Sequence, residues 1–225
     1  MVAGVTPWGP RWLVASAKMA AATFAPEEPL ILDTFNDVLD QRPSYASVVV
    51  NAPIGYVERP GAGVRTCDEE ARSLLGRRRG LTLHRSPSRA VLVGEVPWTQ
   101  DRLDAVTTTL LPRYCEVAKE MSSFRQRVVF SGHPELSFYH LNDSQPLRWS
   151  KRTEEGRDER RSILTAKIPG IHRILESELK GVPESHLYDA AALLWTARRT
   201  FGRAAKRIPS DGEWDSEGLR TEFVM

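Results

Sequence analysis

Val48-Val49-Val50-Asn51-Ala52-Pro53-Ile54-Gly55 sets three β-branched residues directly before a turn. Such a run reads as a strand buried on both faces, the kind found inside a parallel sheet. It stops at a polar residue, and Pro53, which has no N–H for a ladder, begins a Pro-Ile-Gly turn. In α/β folds, ligands and chemistry gather at the carboxyl ends of such strands. Asn51 stands at that end of a strand predicted over 47–51. Two readings of it are open: it opens the turn through its own side-chain hydrogen bonds, or it belongs to a site.

Outward from this strand, the pattern alternates between extended and helical segments. Before it, Val2 to Val5 and Trp12 to Ala15 predict a β-hairpin around a turn at 6–10, and Leu30-Ile31-Leu32 predicts a third strand. Asp33 or Thr34 can cap a short helix bearing Phe35, Val38 and Leu39 on one face. After it, Thr66 and Glu69 have the spacing of a capping box for a helix that Gly76 closes. A second helical pattern holds Leu103, Val106, Leu110, Tyr114, Val117 and Met121, and Pro112 should kink or split it. Arg127 to Phe130 predicts a further buried strand, followed by His133-Pro134-Glu135. The segment 151–161 is dense in charge and is expected at the surface. Ser185 is a candidate cap for a last helix whose apolar stripe runs Leu187, Ala190, Ala191, Leu194, Ala197 and Phe201, its alanines allowing close approach to a sheet. A final strand is predicted within 218–224. The fold class expected is α/β: a mixed sheet, antiparallel at the N-terminal hairpin and parallel beyond, flanked by helices. One domain over 1–225 is the economical reading, with a helical insertion around 60–122.

Composition narrows the function less than the pattern narrows the fold. A net charge of +2 does not announce a nucleic-acid binder. Lys stands at 18, 119, 151, 167, 180 and 206, so 25 of the 31 basic residues are Arg, the side chain suited to bidentate contacts with carboxylate or phosphate. Arg77-Arg78-Arg79 is either a solvated surface run or a phosphate-contacting patch. Cys67 and Cys115 lack metal-site spacing and read as thiols in a reducing compartment. No run approaches a membrane span and no secretory signal is evident, so no membrane partner and a cytoplasmic location are expected. His133 and Glu135, just past a strand end, form either a structural hydrogen bond or a pair able to do acid–base work or bind a metal.

The wording of eight ordered segments goes further than the pattern. These are Gly4-Val5 with Trp12-Leu13-Val14-Ala15; Val50-Asn51-Ala52-Pro53-Ile54-Gly55; Arg65-Thr66-Cys67-Asp68-Glu69-Glu70-Ala71-Arg72; and His133-Pro134-Glu135-Leu136-Ser137-Phe138. Ser150-Lys151-Arg152-Thr153-Glu154-Glu155-Gly156, Tyr188-Asp189-Ala190-Ala191, Trp195-Thr196-Ala197 and Gly218-Leu219-Arg220-Thr221-Glu222 complete the set. Together they resemble the DUF429 family of predicted ribonuclease H-like nucleases, nearly end to end. The resemblance implies carboxylates at the first strand, the fourth strand and the last helix that hold Mg²⁺ or Mn²⁺ for phosphodiester hydrolysis.

Several of the implied acids are missing. The family pattern has an Asp where this chain has Thr6, another where it has Asn51, a Glu where it has Ser131, and a pair of acids where it has Ser185-His186. Asp189 remains, with Glu135 as a second candidate metal ligand and His133 as acid or base. Arg65, Arg72 and Arg77 are the candidate phosphate contacts, and Asp68, Glu69 and Glu70 could compensate for lost acids. Two divalent ions bring four positive charges and want anionic oxygen ligands. Thr and Asn can complete such a shell but cannot neutralise it. The expectation is a degenerate nuclease that binds nucleic acid, a protein partner or a second copy of itself. The rival readings are an active Mg²⁺- or Mn²⁺-dependent phosphodiester hydrolase with a rearranged site, and a purely structural interaction module.

Overall fold

A computed structural model describes residues 1–20 and 23–225. The sheet is built on β1 (Val2–Trp8), which pairs antiparallel with β2 (Arg11–Ala20). β2 in turn pairs antiparallel with β3 (Thr23–Pro26) and with β4 (Leu30–Leu32). On the other side β1 runs parallel to β5 (Ser47–Val50), and β5 runs parallel to β6 (Val129–Ser131). The order β3-β2-β1-β5-β6, with β4 joined to β2, is the mixed sheet expected and is compatible with a ribonuclease H-like plan.

Alternation sorts the strands' side chains into two layers. Val2, Val49 and Phe130 face one side, together with Leu13, Ala15 and Ala17 of β2. Ala3, Val5, Val48, Val50 and Val129 face the other, with Trp12 and Val14. Both layers are apolar because helices cover both. On the second face lie α1 (Phe35–Leu39), capped by a Thr34–Asp37 box, and α4 (Ala105–Glu120). Between β5 and α4 the chain forms α2 (Thr66–Arg79) and the short α3 (Arg89–Leu92). On the first face lie α5 (Pro134–Leu141), α6 (Glu154–Lys167), the short α7 (His172–Leu175) and α8 (Glu184–Phe201). A two-stranded ribbon of β7 (Arg207–Ile208) and β8 (Phe223–Val224) closes the chain. Among the described residues no helix is long and apolar enough to cross a membrane.

α8 touches the sheet backbone to backbone. A Cβ built on Gly4 would lie 2.1 Å from Leu194 N and 2.3 Å from the Ala190 carbonyl oxygen, so only glycine fits between β1 and α8. Ala190, Ala191 and Ala192 are fully buried at this contact, the close approach expected of the small residues in that stripe.

Local details depart from the sequence reading for identifiable reasons. The hairpin continues to Trp8, so Thr6 and Pro7 are strand residues and the turn shrinks to Gly9-Pro10. Val5 accepts from Asn51 N–H, so Pro7, two residues on, faces the same edge beyond the end of the parallel pairing. Its missing N–H therefore costs no ladder bond. The Thr66–Glu69 box does not form: Arg65 is the N-cap, and the Thr66 hydroxyl donates to Glu213 at 2.7 Å. Gly76 kinks α2 at φ 68° instead of ending it, and Arg77 to Arg79 resume the helix. α4 runs through Pro112 as one element, starting at an Asp104 cap after Leu103. β6 begins two residues later than predicted, which brings Ser131 into the strand. α8 starts after Pro183, which gives no side-chain capping bond, with Ser185 inside its first turn. The segment 151–161 is not all surface, since Gly156 and Arg160 of α6 are buried.

Candidate functional site

One cavity of about 480 Å³ opens at the carboxyl ends of β1, β5 and β6. Each strand delivers one element of its floor: Thr6 from β1, Asn51 just past β5, and Gly132-His133 just past β6. α5 adds Glu135, and α8 adds His186 and Asp189 from its first two turns. Lys151, in the loop before α6, completes the polar side. The opposite wall comes from the helical segment between β5 and β6: Leu83, Val106, Leu110 and Tyr114, with His84 and Arg85 at its edge.

The expected residues divide between those that meet here and those that do not. Thr6, Asn51, His133, Glu135 and Asp189 all line the cavity. Ser131 and Ser185 do not, and the Ser131 hydroxyl is turned away to donate to the Ala52 carbonyl at 2.7 Å. Arg65 is buried elsewhere, paired with Asp68 and donating to Ser86 at 2.9 Å. Arg72 gives two hydrogen bonds to the Leu83 carbonyl, at 3.0 and 3.1 Å, and so holds up the cavity wall from behind. Arg77 is exposed in a neighbouring depression with Arg72 and Gly80. Asp68, Glu69 and Glu70 do not reach the cavity.

Both retained carboxylates already have a cation from this chain. Lys151 Nζ donates to Asp189 Oδ2 at 2.5 Å, with the Lys side chain 40% exposed and the Asp side chain 4%. Arg160, wholly buried, donates to Glu135 Oε1 and to the Gly156 carbonyl, and stacks over Phe138. That pair ties α6 to α5 and fixes the loop that carries Lys151. Each acid keeps one buried oxygen, Asp189 Oδ1 and Glu135 Oε2, without a hydrogen-bond partner among the described residues. On the floor, Asn51 donates its side-chain amide to Thr6 at 3.3 Å, two neutral groups at seats where acids were implied.

The two histidines are shifted towards neutrality. His133 is the N-cap of α5, and its Nδ1 accepts from Glu135 N–H, so the ring proton belongs on Nε2. Burial pushes its pKa down to about 4, against the raising influence of Asp189 and with Lys151 and His84 adding to the drop. His186 is lowered by burial too, and its Nδ1 has no partner among the described residues. Burial raises Glu135 despite Arg160 beside it, because losing water costs a carboxylate more than one neighbour returns.

The donor set does not suit a two-ion centre. Among the described residues no three His, Cys, Asp or Glu side chains come together as metal ligands. Two carboxylates half-occupied by ammonium and guanidinium, beside a hydroxyl and an amide, leave most of four added positive charges without a counter-charge.

Lys151 and Arg160 are the site residues that the sequence reading passed over as part of a charged surface run. The available signal was the i, i+4, i+8 stripe Gly156, Arg160, Leu164, all three buried on one face of α6.

A family model described as "Protein of unknown function (DUF429)" matches residues 4–213. No curated protein and no solved structure matches the chain.

Proposed function

We propose that this chain, which belongs to the DUF429 family, is a ribonuclease H-like protein whose metal centre has given way to an internal ion pair, and that it binds nucleic acid without cutting it. The observation that carries this reading is Lys151 Nζ at 2.5 Å from Asp189 Oδ2, an ammonium on the carboxylate that a divalent ion would need. One ammonium supplies a single charge and three donors. It can hold a phosphate oxygen, but it does not act as a Lewis acid that ionises water at neutral pH. The neutral seats Thr6 and Asn51 fit the same loss, since they accept or donate hydrogen bonds but carry no charge. His133, held neutral, keeps its ring proton on Nε2, on the side of the Thr82 backbone.

The test is incubation of the pure protein with labelled DNA and RNA in Mg²⁺ or Mn²⁺. Binding without cleavage is expected, weakening steeply as salt is raised. Metal-dependent turnover that disappears with Asp189→Ala would overturn the proposal.

A second reading, an active Mg²⁺- or Mn²⁺-dependent phosphodiester hydrolase, has one observation in its favour: Asp189 Oδ1 and Glu135 Oε2 are buried acceptors with no donor among the described residues. Calorimetric titration separates the two. Absence of divalent-ion binding at millimolar metal argues strongly against the hydrolase.

A further inference from the structure

The site is a pocket and not a groove, which limits what part of a nucleic acid can enter it. β5 and β6 are parallel, and a crossover between parallel strands needs only about a dozen residues. Here 78 residues intervene between Val50 and Val129, and their side chains Leu83, Val106, Leu110 and Tyr114 stand across from the polar floor. Arg72, bonded to the Leu83 carbonyl, and Asp104, capping α4, hold that wall in place. A volume of about 480 Å³ falls in the range that encloses one compact organic ligand, far below what a duplex needs.

The chemistry of the walls is divided in the way a nucleotide is divided. The apolar wall, with the buried ring of Tyr114, suits the face of a base, since stacking and apolar contact are indifferent to sequence. Opposite it, Asn51 presents a carboxamide whose oxygen has no protein partner among the described residues, a paired donor and acceptor that matches a base edge. Asp189 Oδ1 is buried, in a side chain 4% exposed, and has no hydrogen-bond partner among the described residues, so it wants an N–H or O–H. A sugar hydroxyl or an exocyclic amine would supply it. Lys151, 40% exposed with one donor spent on Asp189, has two left for phosphate oxygens, and Arg85 stands at the same mouth.

We infer that the cavity binds a single nucleoside monophosphate, free or as the terminal unit of a strand, with the base on the Tyr114–Leu110 wall, a ligand donor on Asp189 Oδ1 and the phosphate at Lys151. The inference rests on the nucleic-acid-binding reading above and adds to it the size and orientation of what enters.

Isothermal titration in EDTA tests it, using the four ribonucleoside 5′-monophosphates, inorganic phosphate, and 12-residue oligonucleotides that are 5′-phosphorylated, unphosphorylated or circular. At least one mononucleotide should bind, and inorganic phosphate should bind at least tenfold more weakly. Lys151→Met should weaken mononucleotide binding at least tenfold. So should Val106→Trp, which changes an exposed residue and fills the cavity without disturbing the core. Binding of phosphorylated linear strands but not circles assigns the ligand to strand ends, and binding of mononucleotides alone assigns it to free nucleotides. Both outcomes support the pocket. Circles and linear strands binding equally, unaffected by Val106→Trp, would overturn the pocket and leave nucleic-acid binding elsewhere on the surface intact. No binding of any probe would overturn both.

Discussion

Asp189 is the residue on which the readings of this site turn. Its carboxylate is buried, one oxygen is held by Lys151, and the other has no partner among the described residues. Removing the cation therefore leaves a buried charge uncompensated, which costs more than the pair itself contributes. Because Lys151 is 40% exposed, solvent takes up part of that loss. Lys151→Met should lower stability by about 1–2 kcal/mol, read as a shift in urea midpoint at constant slope. Adding Asp189→Asn should restore most of it, because the charge and its counter-charge then leave together. A double variant as weak as the single one would show that the lysine acts through packing. At this scale the sequence was half legible. Thr6, Asn51, His133, Glu135 and Asp189 could be singled out because each stands next to a recognisable strand end or turn, and all five meet in one cavity. Arg160 could not unless the helical stripe of its charge run is traced, and Lys151 lies in the loop before that stripe begins; pairing across 25 and 38 positions leaves no local mark.

Two glycines set the distances between elements, and each gives a test that touches no site residue. A Cβ on Gly156 would lie 1.8 Å from the Ser150 carbonyl oxygen. Gly156→Ala must therefore push the loop before α6 outward, taking Lys151 with it. The expected result is about 1–3 kcal/mol of lost stability, unchanged far-ultraviolet circular dichroism, and loss of ligand binding equal to that of Lys151→Met. Gly4→Ala is harsher. Its new methyl would meet the backbone of α8 at Leu194 and Ala190, and backbone cannot rotate away as a side chain can. About 3 kcal/mol or more should be lost, seen as a large fall in melting temperature or as insoluble protein. The elements themselves were legible where apolar period and length agreed: β5, β1, α4 and α8 were all anticipated from their stripes. Their ends were not. At the start of α2 the reason is a distant partner, since the Thr66 hydroxyl that would have closed the capping box donates to Glu213 instead, 147 positions along the chain.

For the molecule as a whole, the polar floor sits where three strands and two helices converge, and its burial ties folding to pH. His133 is held neutral, with its pKa near 4 against about 6.5 in the unfolded chain. Between those values the unfolded chain binds a proton that the folded one refuses, so stability from this group is complete above pH 6.5 and falls as pH drops towards 4. The full span is about 3 kcal/mol for His133. His140 and His186 are lowered by burial and act in the same direction, whereas Glu135 and Glu222, raised by burial, act in the opposite one. A simple pH profile therefore mixes opposing groups, and a difference between variants is needed. His133→Asn suits this purpose: Asn is a good N-cap and can still accept from Glu135 N–H, but it does not titrate. Measured in urea from pH 7.5 to pH 4, the stability gap between wild type and variant should change by up to about 3 kcal/mol in favour of the variant as pH falls. A gap that stays flat would mean that His133 takes its proton as readily in the fold as in water. Asp189, which favours the charged ring, would then be offsetting the loss of water in full.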